Sequence, residues 1–111
     1  MHEPFPPPPR YTRTLPELDS EVTGAILTAE KTGLRNDWLK VYELEKALAK
    51  VHRASTLEGQ IARRGAVTAA ISAKTFTLAE ETFFNYLAEP NIPGSLIKEL
   101  KALYKTFQNK L

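Results

Sequence analysis

The 111-residue sequence contains no cysteine. This absence excludes disulfide bonds, thiolate metal ligands and cysteine nucleophiles. Long apolar runs are also missing, and none approaches the roughly 18 residues of a membrane-spanning helix. The N-terminus has no apolar signal region, so we expect a soluble, cytoplasmic protein with no membrane partner.

Residues that could support catalysis or metal binding are scarce. The two histidines are His2 and His52, and no His, Asp or Cys stands at ligand spacing from His52. The HExxH, GxGxxG and P-loop patterns are absent. Adjacent glutamates such as Glu80 and Glu81 point apart, whereas a catalytic carboxylate pair needs a shared pocket. We therefore expect a protein that is not an enzyme and has no cofactor.

The charge balance is nearly even, with a formal net charge of only +2 and a pI of about 8.9. Dedicated nucleic-acid binders usually carry a clustered basic face. The composition therefore permits a nucleic-acid partner without arguing for one.

Proline is concentrated in residues 1–13, which we interpret as an extended arm. The run from Pro6 to Pro9 favours polyproline II, because consecutive prolines lack amide donors and exclude helical neighbours. Phe5 followed by four prolines, near the acidic Glu3, resembles the ligand motif of EVH1 domains. That resemblance implies a protein partner for the arm, with Phe5, Pro6 and Pro9 as contact residues; a spacer or an arm packed on its own surface is the alternative.

Residues 14–111 predict a single all-α domain of about five helices, since apolar residues recur at helical spacing and no segment alternates with period two. Thr14–Glu17 has the form of a capping box and Gly33 ends the first helix. Asn36 with Asp37, Ser55–Glu58 and Thr77–Glu80 look like further helix starts, and Pro93–Ser95 precedes the last helix. Residues 37–73 form one helix or two, and we favour a break near Ala54–Ser55.

The helical stripes are expected to meet in one core. Its predicted members are Leu18, Val22, Trp38, Leu44, Leu48, Phe83, Leu100 and Leu103. The second half of the central stretch has a face of small residues between Ala62 and Ala73, which favours close packing against a neighbouring helix. A helix of a second copy is the other candidate for that face.

Two segments resemble a helix-turn-helix. In Ala25–Glu45, Ala29 and Gly33 take the places of the small residue and the turn glycine, and Arg35, Asn36 and Lys40 would open the recognition helix. An ordinary glycine-capped hairpin also fits. Arg63–Leu87 is similar to regulators related to the Trp repressor, which implies phosphate contacts from Arg63, Arg64 and Lys74. The proline-bound turn that follows departs from that pattern.

The segment Ser55–Gly59 resembles the inhibitory helix motif of Fic-type nucleotidyl transferases and their antitoxins, although Ala54 replaces the expected Ser or Thr. These resemblances leave two functions open. The first is a DNA-binding transcriptional regulator that contacts double-stranded DNA. The alternative is a protein-interaction module, such as an adaptor, antitoxin or inhibitor. A common face for the candidate cations would favour DNA.

The chain is also expected to form a homodimer. Phe83, Phe84 and Tyr86 point in different directions around one short helix, so one partner within the chain can hardly cover all three. Phe84 and Tyr86 are accordingly predicted protein-binding residues.

Overall fold

The computed structural model describes residues 15–109, and within them it contains five α-helices and no strand. The helices are α1 (Leu15–Thr32), α2 (Arg35–Val51), α3 (Leu57–Ser72), α4 (Phe76–Leu87) and α5 (Gly94–Gln108). This confirms the predicted all-α class. The proline-rich arm, with Phe5, Pro6 and Pro9, lies outside the described residues, as do Thr14 and the last two residues.

The helices pack in a chain of neighbours. Helix α2 lies between α1 and α3, and α3 in turn packs against α4 and α5. The small-residue face of α3 is at most 1% exposed and faces this interior; its members are Ala62, Ala66, Ala69, Ala70 and Ala73. The prediction of close packing is therefore confirmed, and this face is not open to a second copy.

Two buried clusters replace the single core expected from the sequence. One cluster joins α1, α2 and α3 and includes Leu18, Val22, Leu44 and Leu48. The other includes Phe83, Leu96 and Leu100 from α4 and α5, together with Ala54 and Val67. The two clusters meet at Ile71 and Tyr86, which pack against both. The prediction of one core was wrong because α3 and α4 each contribute apolar residues to both clusters, which remain distinct and touch only at their partly buried members.

Two predicted core members are less buried than expected. Trp38 is half-buried and packs against the first cluster from outside. Leu103 has the same relation to the second cluster.

The connections between helices confirm some predicted boundaries and correct others. Helix α2 ends at Val51 and α3 begins at Leu57, so the predicted break is confirmed. Gly33 ends α1 with a φ of 67°, as expected for a glycine past a helix C-terminus. The last helix begins at Gly94, directly after its N-cap Pro93.

Three predicted N-caps were wrong by one or a few residues. Helix α2 has Leu34 as its N-cap, and the carboxylate of Asp37 instead accepts a hydrogen bond from the Thr32 hydroxyl at 2.6 Å. Helix α3 is capped by Thr56, not Ser55, through a 3.0 Å bond from the Gly59 amide. Helix α4 begins at Phe76, before the predicted cap at Thr77.

Within residues 15–109, no helix is both long and apolar enough to cross a membrane.

Candidate functional site

The residues predicted to bind nucleic acid are dispersed over the molecule. Arg35 and Lys74 lie together at a groove where the start of α2 meets the α3–α4 turn. Lys40 lies elsewhere, at a groove between α1 and α2 that it shares with Glu21 and Asp37. Asn36 is exposed on the first turn of α2. These four side chains do not form one basic face.

Arg63 is unavailable to a phosphate, which corrects its predicted role. The residue is only 4% exposed, and its guanidinium binds the Glu89 carboxylate twice, at 2.5 and 3.0 Å. Its remaining nitrogen donates to the carbonyl oxygens of His52 and Gly59, at 3.0 and 2.9 Å. Arg63 therefore joins the end of α2, the start of α3 and the end of α4.

Arg64 points to a different side of α3. It donates to the Glu99 carboxylate of α5 at 2.8 Å, and both side chains remain partly accessible to solvent. Because a paired cation must release its carboxylate before it contacts a phosphate, Arg64 is a weaker candidate than the sequence suggested.

The helix-turn-helix interpretations gain little from the geometry. Only Gly33 and Leu34 join α1 to α2, and α2 packs against both α1 and α3. The Tyr42 hydroxyl also reaches Thr82 of α4 at 3.2 Å. On the second segment, α4 exposes Glu80 and Glu81, and carboxylates on a recognition helix repel the DNA backbone.

A continuous cluster of aromatic rings lies between α4 and α5. The Phe83 ring stacks on Tyr104 with centroids 4.3 Å apart and planes at 3°, and Phe84 meets the same Tyr104 edge-on at 5.7 Å. Tyr104 contacts Phe107 at 5.6 Å, and Phe107 contacts Phe76 at 5.2 Å. We call this cluster the aromatic face.

The aromatic face is buried on one side and open on the other. Phe83 and Phe107 are each 3% exposed, whereas Phe76 is 39% and Phe84 53% exposed. Each exposed ring packs against other rings of the cluster, Phe76 against Phe107 and Phe84 against Phe83 and Tyr104. Aromatic side chains are enriched at protein interfaces.

Exposed charged side chains accompany the aromatic face on both of its helices, acidic ones on α4 and basic ones on α5. On α4, Glu80 and Glu81 are exposed and stand four and three positions before Phe84, on the neighbouring helix surface. The Glu80 carboxylate accepts a 2.8 Å hydrogen bond from the Tyr104 hydroxyl, which raises the pKa of Tyr104. On α5, Lys101 and Lys105 are exposed and follow the same side as Tyr104.

Tyr86, the other residue of α4 predicted to bind a protein, has a different environment from Phe84. Its ring is half-buried between the two clusters, and Arg63 lies 5.5 Å from the ring centre. The hydroxyl oxygen is shielded from solvent and has no hydrogen-bond partner among the described residues. Burial raises the pKa of Tyr86 to about 12, against a smaller opposing effect of Arg63.

A buried carboxylate was missed by sequence reasoning. Glu45 is 6% exposed on α2, and burial, reinforced by the negative charge of Asp19, raises its pKa to about 7. A side chain at Gly65 would overlap this carboxylate, so the glycine makes room for it. The available signal was position: Glu45 follows Leu44 and lies four residues after Val41, within the apolar stripe.

Tyr104 and Phe76 were also missed as surface residues. Tyr104 looked like an ordinary member of the last apolar stripe, and Phe76 stood outside every predicted helix. Among the described residues, no group of His, Asp or Glu side chains is arranged to hold a metal ion. No family model, curated protein or solved structure matches this chain.

Proposed function

We propose that this protein is a non-catalytic helical interaction module that binds a second copy of itself through the aromatic face. The observation that carries the proposal is Phe84, which is 53% exposed while its ring packs against Phe83 and Tyr104. A large apolar side chain held rigidly at the surface loses little conformational entropy on binding and gains from leaving water.

The charges around the aromatic face support a second copy as the occupant. A twofold axis through the face places α4 of one copy against α5 of the other. That arrangement brings the acidic row, Glu80 and Glu81, toward the basic row, Lys101 and Lys105. A surface that carries acidic residues on one helix and basic residues on the other is self-complementary, which is the requirement of a twofold dimer.

The DNA-binding alternative has weaker support. Its candidate residues are Arg35, Asn36, Lys40, Arg63, Arg64 and Lys74. Arg63 is buried in an ion pair and Arg64 is paired with Glu99, while Lys40 and Lys74 lie at separate grooves. It remains a prediction, and a salt-sensitive affinity for duplex DNA would revive it.

The proposed dimer is tested by measuring the mass in solution by light scattering at micromolar concentration. We expect the unmodified chain to have twice the monomer mass and Phe84→Ser to have the monomer mass. Leu27→Ser is the matched control, because Leu27 is 63% exposed but lies on α1, away from the aromatic face. The control should remain dimeric, and circular dichroism should show that both variants keep their helices.

A charge reversal tests the orientation of the two copies. Glu81→Lys and Lys105→Glu should each weaken the dimer, because each brings like charges together. Mixing the two variants should restore association as a heterodimer, since the opposite signs then face each other. A monomeric wild type, or a Leu27→Ser variant that dissociates as readily as Phe84→Ser, would refute self-association through this face.

A further inference from the structure

A cleft lies at the connection between α2 and α3. Its volume is about 680 Å³, which is within the range of small-molecule sites. One wall is the last turn of α2 with the connecting residues, from Lys46 to Ser55, and the other includes Arg63, Tyr86 and Glu89–Asn91. None of the residues of the aromatic face lines this cleft, so a ligand here does not require self-association.

The cleft is strongly basic. Lys46, Lys50 and Arg53 line it and are exposed, and none of them has a carboxylate partner among the described residues. The one carboxylate in the lining, Glu89, is already bound by Arg63. The exposed cations are therefore not neutralised locally, and a concave wall concentrates their field.

The connection that carries these cations is held in place by hydrogen bonds. Arg63 donates to the carbonyl of His52 at 3.0 Å. The next carbonyl, that of Arg53, accepts from both the amide and the hydroxyl of Thr56, at 3.0 and 2.7 Å. Gly59 packs so closely against the same carbonyl that a side chain would overlap it. A fixed backbone reduces the entropy lost when the attached side chains bind a ligand.

Tyr86 belongs to the wall of the cleft. Its hydroxyl oxygen is shielded from solvent, so the residue lines the cleft with its other atoms and the hydroxyl does not face a ligand there.

We propose that this cleft binds a small organic anion bearing a phosphate group, with Lys46, Lys50 and Arg53 contacting the phosphate oxygens. Phosphate fits this donor set because it presents several acceptor oxygens to a cluster of cations. The apolar lining from Ala49, Val51 and Pro90 provides contact for the rest of a small molecule.

The test uses the full chain and inorganic pyrophosphate as the probe, with citrate as an arm that separates phosphate from carboxylate recognition. Binding is followed by amide chemical shifts in NMR spectra and by calorimetry. We expect saturable pyrophosphate binding, with the shifted amides in residues 46–55, 63 and 86–91. Citrate should bind at least about tenfold more weakly.

The variant Lys50→Ala/Arg53→Ala removes two of the proposed contacts. It should weaken pyrophosphate binding by at least about tenfold, since each lost charge-assisted contact lowers affinity substantially. Lys31→Ala/Lys98→Ala is the matched control, because it removes the same formal charge from exposed positions on α1 and α5 that belong to neither proposed binding surface. Equal weakening of pyrophosphate binding in both double variants would show that the affinity depends on net charge alone, and it would refute the site.

No shifts at about 10 mM pyrophosphate, or tighter binding of citrate, would overturn the proposal as a whole.

Discussion

At the residue scale, the glycines of this chain have opposite effects on its stability. A Cβ added at Gly24 would meet nothing within 4 Å, whereas one at Gly59 would overlap the backbone carbonyl of Arg53. Both residues lie inside helices, where glycine is less favourable than alanine by about 1 kcal/mol. Of these two residues, only Gly59 has a structural reason to be glycine, since the backbone of α3 passes directly over the Arg53 carbonyl.

We predict that alanine substitutions at these two positions change stability in opposite directions. Gly24→Ala should raise the free energy of unfolding by about 0.5–1 kcal/mol, because the helix gains propensity and nothing is displaced. Gly59→Ala should lower it by about 2 kcal/mol or more, because the overlapping atom belongs to the backbone and cannot rotate away. Denaturant unfolding measures both, and a stabilised Gly59→Ala protein would show that the α2–α3 corner is looser than described.

Arg63 and Arg64 are neighbours in the sequence, and both were predicted to contact phosphate. Because successive residues of a helix point in different directions, Arg63 lies inside the fold and Arg64 lies at its surface. The partner of Arg63 is Glu89, which lies 26 positions away in sequence. No local pattern contains that information, so the burial of one arginine was not predictable from spacing alone.

At the element scale, the Arg63 side chain stabilises the short connection between α2 and α3. Carbonyl groups in this connection lie outside the helices, and buried carbonyl groups need hydrogen-bond donors. The Arg63 guanidinium supplies one to His52 and one to Gly59, and it also fixes the end of α4 through Glu89. Three helices therefore depend on one side chain.

Replacing the two neighbouring arginines by methionine tests this dependence. Arg63→Met should lower the free energy of unfolding by about 3 kcal/mol, because it leaves the His52 carbonyl and a partly buried carboxylate without their donor. Arg64→Met should cost less than about 1 kcal/mol, because its ion pair with Glu99 is partly solvated. Comparable losses from both variants in urea unfolding would contradict the assigned roles.

The helices themselves were largely predictable, and their ends were not. Periodicity identified the five segments and the break before α3, because apolar stripes depend on local spacing. The observed N-caps differ from the predicted ones because more than one residue at each junction can cap a helix. Thr56 is adjacent to the predicted cap Ser55, and Thr75 stands two positions before the predicted cap Thr77. Tertiary contacts decide between them, as the bond from Thr75 to the Ala70 carbonyl shows. Of the candidate site, the sequence indicated Phe84 but not its support by Tyr104 from another helix.

At the scale of the whole molecule, the layered packing places a carboxylate where three helices meet. Glu45 on α2 lies beside Gly65 of α3 and experiences the charge of Asp19 on α1. None of the described residues donates a hydrogen bond or forms an ion pair with it. The ionised form is therefore poorly solvated in the folded state, and the protonation of this one group couples pH to the packing of all three helices.

The pH dependence of folding follows from the direction of this shift. In the folded protein the pKa of Glu45 is raised from 4.5 to about 7, so the folded state holds a proton that the unfolded state releases. The contribution to stability is full below the unfolded pKa and is lost as pH rises toward the folded pKa. Titration of Glu45 should therefore lower the free energy of unfolding as the pH rises from about 4.5 to about 7.

Glu45→Gln tests this coupling, because glutamine has nearly the same shape and no charge. At pH 8 the variant should be more stable than the wild type by on the order of 2 kcal/mol, and the difference should shrink toward zero near pH 4. Glu43→Gln is the control, since it makes the same change at an exposed position on α2 and should be nearly neutral throughout. Asp19→Asn should lower the pKa of Glu45 in an NMR titration, because it removes the neighbouring negative charge. A constant difference between Glu45→Gln and wild type across the pH range would mean that the carboxylate is solvated, and the α1–α2–α3 junction would then be open to water.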